Sequence, residues 1–151
     1  METQLPQDFT DFLSLLNKHQ VEYLLIGGYA VGLHGYVRAT NDIDVWIEAS
    51  IQNAIKTESA IREFGFDLPT LSPDRLIEKG QVTRMGHPPM RIEVLNSISG
   101  VSFREAYARK LIVSIGTLEI PMISLQDLLV NKRCSGRTKD LADVEELERF
   151  Q

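Results

Sequence analysis

The sequence predicts an α/β (α+β) fold with flanking helices and a helical carboxy terminus. Helix-periodic segments alternate with short apolar strand segments, and glycine, proline or serine punctuates nearly every change between them. The 151 residues suffice for one compact domain, here expected to span 1–151, in which about two thirds of the surface is buried on folding. The composition is 43% apolar and 25% charged, which excludes collagen, coiled-coil and disordered classes. A formal charge of −5 argues against a general electrostatic grip on nucleic acid and leaves room for a local basic patch. One cysteine, Cys134, excludes an intrachain disulfide and a cysteine zinc cage, and a small packed side chain is expected there. The longest nearly apolar stretch, Tyr23 to Leu33, is well below the ~20 residues of a membrane span. The start, METQLPQDFTDF, carries acids where a secretory signal carries bases, so a cytoplasmic protein without membrane contact is expected.

Each element has its own signal. Phe9, Phe12, Leu13, Leu15 and Leu16 form the stripe of an amphipathic helix between Pro6 and His19. Val21 to Ile26 is a buried strand stopped by Gly27 and Gly28, with a short helix over Tyr29 to His34. Asp42 to Glu48 alternates as a strand, and Ile51 to Phe64 is a helix closed by Gly65. Ser72-Pro73 opens a short helix. Gln81 to Met85 and Met90 to Leu95 are strands separated by GHPP, and Ser102-x-x-Glu105 is a capping box opening a helix to Arg109. Leu111 to Ile115 and Leu118 to Met122 form a hairpin about Gly116-Thr117. Ser124 caps a helix over Leu125 to Cys134, Gly136 breaks it, and Thr138 caps a last helix to Phe150.

In a strand, residues two apart share a face, so Asp42 and Asp44 present their carboxylates together while Ile43 and Val45 point into the core. With a backbone separation of roughly 7 Å, two such acids can converge on one Mg²⁺ or bridge two ions. Gly27-Gly28 lies directly after a strand and thirteen residues ahead of this pair, and glycine permits close approach of backbone to phosphate. Taken singly, a pair of acids is also the ordinary solvent face of a strand, and a pair of glycines an ordinary tight turn.

Together, the stretch LLIGGYAVGLHGYVRATNDIDVWI resembles the nucleotidyltransferase superfamily, the fold group typified by DNA polymerase beta and the minimal nucleotidyltransferases. The resemblance implies a mixed β-sheet core in which the glycine turn, Gly27 and Gly28, contacts the phosphates of a nucleoside triphosphate. It also implies that Asp42 and Asp44 hold Mg²⁺, with Mn²⁺ as a substitute. Arg38 and Thr40 match the basic and hydroxyl residues seen before the paired acids in that group and are expected at phosphate, with a simple loop salt bridge as the alternative. In Met90-Arg91-Ile92-Glu93-Val94-Leu95, Glu93 stands where relatives carry a third aspartate. Its expected role is third metal ligand or general base, and its extra methylene departs from the common pattern. The plain reading of Glu93 is a strand-face pair with Arg91 or another base.

The segment LQDLLVNKRCSGRTKDLADVEEL is similar to the tail of toxin-type and abortive-infection-type nucleotidyltransferases. Lys132, Arg133, Arg137 and Lys139 concentrate four bases there, and Lys132, Arg137 and Lys139 are candidate triphosphate ligands. Bases also favour helix carboxy termini, and Lys139 can pair with Asp143 on one helix face. Asp140 and Asp143 are read as structural partners of Arg137 or Lys139. His34 is read as a hydrogen-bonded loop residue, while Trp46, on the face of Asp44, either stacks on a base or packs against a helix.

The resemblance implies a two-metal enzyme in which Asp42, Asp44 and Glu93 serve transfer of a nucleoside monophosphate to an acceptor hydroxyl, with pyrophosphate released. The acceptor stays open among RNA (tRNA included), protein and a small molecule. A partner protein, a homodimer or the acceptor's own shape is expected to choose it, since the length leaves no room for a separate acceptor domain, and a toxin–antitoxin or defence context follows from the same resemblance. The alternatives are a catalytically degenerate nucleotide-binding or partner-binding domain, and an interaction protein without a nucleotide site.

Overall fold

The computed structural model describes residues 5–87 and 90–149. Seven helices and six strands occur among them. In chain order they are α1 (Gln7–Lys18), β1 (Tyr23–Ile26), α2 (Gly27–Leu33), β2 (Asp42–Ile47), α3 (Ile51–Phe64), α4 (Pro73–Ile77), β3 (Val82–Met85), β4 (Arg91–Leu95), α5 (Phe103–Ala108), β5 (Leu111–Ile115), β6 (Leu118–Met122), α6 (Leu125–Ser135) and α7 (Thr138–Arg149). The strands form one mixed sheet in the order β3-β4-β2-β1-β6-β5. β2 runs antiparallel to β1 and parallel to β4, β1 runs parallel to β6, and the outer pairs β3–β4 and β5–β6 are antiparallel.

The alternation read in β2 sets the two faces of the sheet. Ile43, Val45 and Ile47 are fully buried on one face, in register with Ile92 and Val94 of β4. Phe9, Phe12, Leu13 and Leu16 of α1 are also fully buried, and the Phe12 ring meets Phe64 of α3 edge-on at 5.4 Å. Tyr23 leads from β1 toward α1, its hydroxyl 2.9 Å from Asn17 Oδ1. The opposite face carries Asp42, Asp44 and Trp46, covered in part by α5, whose Phe103 ring stands edge-on to Trp46 at 5.1 Å. This face bears the polar groups, and the burial of its neighbours holds them in place.

The helix signals hold in detail. Ser50, Ser72, Ser102 and Ser124 each accept a backbone N–H three residues on, from Asn53, Arg75, Glu105 and Asp127. α3 and α6 end at left-handed Gly65 and Gly136. Some boundaries move for local reasons. Val21 donates its N–H to the Leu16 carbonyl at 3.0 Å, closing the turn after α1, and the strand begins at Tyr23. α2 starts at Gly27 and not at Tyr29, because Gly27 takes φ of +73° and swings the chain from strand to helix in one residue. The cap of α7 is Arg137, whose carbonyl accepts the Leu141 N–H at 2.9 Å, so Thr138 is already helical. Cys134 is exposed on the last turn of α6, against the expectation of a packed side chain; its sulfur lies over Gly100 at the surface. Residues 1–4, Pro88 and Pro89 of the GHPP connection, and Phe150 at the expected end of the last helix lie outside the described residues. Among the described residues no helix is long and apolar enough to cross a membrane.

Ser124→Ala removes the hydroxyl that caps α6 and is expected to lower folding stability by about 1 kcal/mol, read as a shifted urea midpoint at unchanged slope.

Candidate functional site

The parallel pairing of β2 with β4 places Asp44 directly beside Glu93 and Asp42 directly beside Arg91. β1 pairs with β2 so that Ile26 lies opposite Asp44, which delivers the next residue, Gly27, against the Asp44 side chain. A Cβ on Gly27 would fall on the Asp44 carboxylate, and one on Gly28 would lie 2.8 Å from Thr40 Oγ1. Two independent requirements therefore act at Gly27: its left-handed φ and the space that Asp44 occupies. The glycine pair, Thr40 and the D-I-D strand form one packed unit.

Asp44 and Glu93 stand side by side in the β2–β4 register, close enough to hydrogen-bond when one of them carries a proton. Burial, then the charge and hydrogen bond of Glu93, then the charge of Asp42 push the Asp44 carboxyl up to about 7, with Lys139 opposing. Two carboxylates this close repel unless a proton or a cation stands between them, and their hard oxygen donors suit a divalent cation. Asp42 is differently engaged: Arg91 grips it with both prongs, Nε to Oδ1 at 3.1 Å and a terminal nitrogen to Oδ2 at 2.8 Å. Among the described residues no group of three or more His, Cys, Asp or Glu comes together to hold a metal. The donor set that fits a cation is thus Asp44 with Glu93.

Above this pair lies a cleft of about 500 Å³. Its floor and sides include Ile26, Gly27, Asp44 and Glu93, and the facing wall comes from α6 and the turn into α7, with Lys132, Arg137 and Asp140. The lining carries three acids, Asp44, Glu93 and Asp140, and three bases, Arg84, Lys132 and Arg137. That volume lies within the range of small-molecule sites, roughly 300–1,000 Å³.

The bases expected at phosphate divide into two sets. Lys132 is buried between two acids, its Nζ 3.0 Å from Asp140 Oδ1 and 2.9 Å from Asp143 Oδ2. Arg38 holds Asp143 bidentately, Nε at 3.0 Å and a terminal nitrogen at 2.9 Å. Asp140 also accepts from Ser135 Oγ at 2.5 Å and Arg137 Nε at 2.9 Å. Burial would raise the Asp140 carboxyl, but the bonds from Ser135, Lys132 and Arg137 outweigh it and hold the group at about 2. This chain of pairs ties the loop before β2 to α6 and α7, so Arg38 stands behind the cleft and Lys132 in its wall. Arg137 is 78% exposed beside the cleft, and Lys139 is exposed and close enough to Asp44 to oppose its protonation. Asp140 pairs with Arg137 as expected, whereas the partners of Asp143 are Arg38 and Lys132 and not Lys139.

Other candidates resolve plainly. Trp46 is 1% exposed and packs on Phe103; its indole Nε1 is buried and has no hydrogen-bond partner among the described residues. His34 Nε2 lies 2.8 Å from the Ile123 carbonyl oxygen. Sequence reasoning gave Arg91 only the role of a partner for Glu93 and passed over Arg84, whose Nε is 3.2 Å from Glu93 Oε1. The alternation Arg91-x-Glu93 was the available signal for Arg91. The pairing of Arg84 needed the β3–β4 register, which sequence does not print.

Comparison with known proteins places the fold. The chain superposes on a candidate nucleotidyltransferase from Thermotoga maritima with a TM-score of 0.61 at 14% identity, covering 94% of this chain and 89% of that one. It superposes on the lincosamide antibiotic adenylyltransferase LnuA, in a lincomycin-bound structure, with a TM-score of 0.62 at 16% identity, covering 99% and 100%. An antigenic nucleotidyltransferase-like protein from Paracoccidioides brasiliensis matches with a TM-score of 0.56 at 17% identity, covering 98% and 79%. At these identities the likeness is one of fold. No curated protein sequence matches the chain. The sequence profile described as a nucleotidyltransferase of unknown function, DUF6036, matches residues 4–149. The chain is thus a nucleotidyltransferase and belongs to the DUF6036 family.

Proposed function

We propose that the cleft binds a nucleoside triphosphate with Mg²⁺, or Mn²⁺ in its place, and transfers the nucleoside monophosphate to an acceptor hydroxyl. The observation that carries this reading is the Asp44–Glu93 pair set against a glycine whose missing Cβ leaves room for the carboxylate. A divalent cation bound by Asp44 and Glu93 would neutralise phosphate charge at the reacting phosphorus. Gly27 lets the strand end and the start of α2 approach phosphate closely. Arg137 and Lys139, exposed beside the carboxylates, supply charge for the outgoing pyrophosphate, and Lys132 with Arg38 fixes the wall that carries them. The acceptor's oxygen bonds to the α-phosphorus in line as the bond to the pyrophosphate oxygen breaks, and its proton passes to solvent because Glu93 is taken up by the cation.

The acceptor enters from outside the cleft, and its class is RNA, protein or a small molecule. The name of LnuA describes adenylyl transfer to a lincosamide antibiotic, which supports the small-molecule arm. The resemblance of the carboxy-terminal segment supports a toxin–antitoxin or defence setting in the cytoplasm, with a partner protein or second copy aiding acceptor choice. One observation favours a second reading, a degenerate nucleotide-binding domain: Asp42 is already neutralised by Arg91.

Incubation of the protein with each α-labelled nucleoside triphosphate and Mg²⁺ or Mn²⁺ in a cell extract tests the two readings. Label is expected in one acceptor class with the parent protein and not with the Asp42→Asn/Asp44→Asn double variant. Absence of label with Mg²⁺-dependent nucleotide binding retained identifies the degenerate domain.

Asp44→Asn alone is expected to lower transfer at least about 100-fold while the fold is kept, checked by circular dichroism beside the label assay. Gly27→Ala is expected to lower transfer at least tenfold, since the new methyl group displaces the Asp44 carboxylate; its stability cost at the positive φ is about 1 kcal/mol, read by urea unfolding. The raised Asp44 carboxyl also marks stability without metal. Between the ordinary value of 3.8 and about 7 the folded state keeps a proton that the unfolded state has lost, so this contribution is full below 3.8 and falls as pH rises to about 7. Urea midpoints of the metal-free parent, compared with Asp44→Asn across that window, are expected to show the decline in the parent and its absence in the variant.

A further inference from the structure

The three acids that the resemblance assigns to metal are not equally available. The Arg91 guanidinium bridges two of them: both prongs lie on Asp42, and Nε is 3.4 Å from Glu93 Oε1. The arrangement is built into the sheet, because Asp42 and Arg91 are direct partners in the parallel β2–β4 register. Asp42 holds Arg91 more firmly protonated than an ordinary arginine, with Glu93 and Asp44 adding to the effect. An arginine is charged at every working pH, and a two-pronged fork on one carboxylate occupies both of its oxygens. A cation arriving at Asp42 would have to break two hydrogen bonds and meet a fixed positive charge.

We propose that Arg91 stands in for a second cation at Asp42, so that the protein's own carboxylates hold one divalent ion, at Asp44 and Glu93. This rests on the nucleotidyl-transfer reading and deepens it: Arg91 is a positioning residue that fixes the metal count. Arg84 lies on Glu93 through a single nitrogen and is 59% exposed, so it can leave when an ion arrives, whereas Arg91 is less exposed and doubly bonded. The site then carries a permanent positive charge on the Asp42 side and an exchangeable one on the Asp44 side.

The test is a count of bound Mn²⁺ on the full chain without nucleotide, read from the loss of the free-ion electron paramagnetic resonance signal. The parent is expected to bind one Mn²⁺ and Arg91→Met two, the second ion using the freed Asp42. Arg91→Lys keeps the charge and is expected to bind one, which separates charge from shape, and Asp44→Asn is expected to bind none. Two ions or none on the parent overturns the proposal, as does a count of one on a folded Arg91→Met. If Arg91→Met does not fold, the parent and Arg91→Lys counts decide: one ion on each supports it, and any other pair of counts overturns it. Failure of label transfer with these counts intact would instead overturn the transferase reading and leave the role of Arg91 standing.

Discussion

The in-register parallel pairing of β2 with β4 is the constraint on which the rest of the molecule depends. Because paired residues in neighbouring strands project to the same face, one register decides that Asp44 stands by Glu93 and Asp42 by Arg91. A slip of one residue in β2 would bury Asp42 and Asp44 and expose Ile43 and Val45. The hydrophobic face therefore sets the register, and the register assembles the chemistry. The core made by α1, α3 and the apolar side of the sheet is in this sense part of the site.

A second layer of constraint comes from charge. Asp44 and Glu93 crowd each other, with Arg84 and Arg91 meeting only Glu93 of the pair, while the acids of α7 are tightly compensated: Lys132 between Asp140 and Asp143, Arg38 on Asp143, Arg137 on Asp140. Removing one partner of such a buried set leaves an uncompensated charge, so the network is costly to break even where its net gain over apolar packing is small. It fixes the cleft wall and the loop before β2. The unsatisfied electrostatics are thereby confined to the place where a cation and a phosphate can resolve them.

Much of this was legible in the sequence. Apolar periodicity and serine caps placed the helices, and the run Asp42-Ile43-Asp44 after Gly27-Gly28 predicted the acids and the glycine turn that the sheet sets against each other. What sequence left open was pairing. Lys132 and Arg38 read as phosphate ligands because basic residues near a glycine carry no sign of which acids they will meet, and these meet Asp140 and Asp143 at long range. Arg91 was visible only as a partner for Glu93 two residues on, since its bond to Asp42 spans 49 positions and follows from strand order. Short-range patterns fix faces and caps, whereas ion pairs between distant elements are settled by the sheet's topology.

A crystal structure of the full chain soaked in Mn²⁺, with the ion located by its anomalous scattering, tests the central claim most directly. The account predicts one peak bridging the Asp44 and Glu93 carboxylates against Gly27, with Arg91 still bonded to Asp42. A peak on Asp42 with Arg91 displaced, or a peak away from both Asp44 and Glu93, would contradict it.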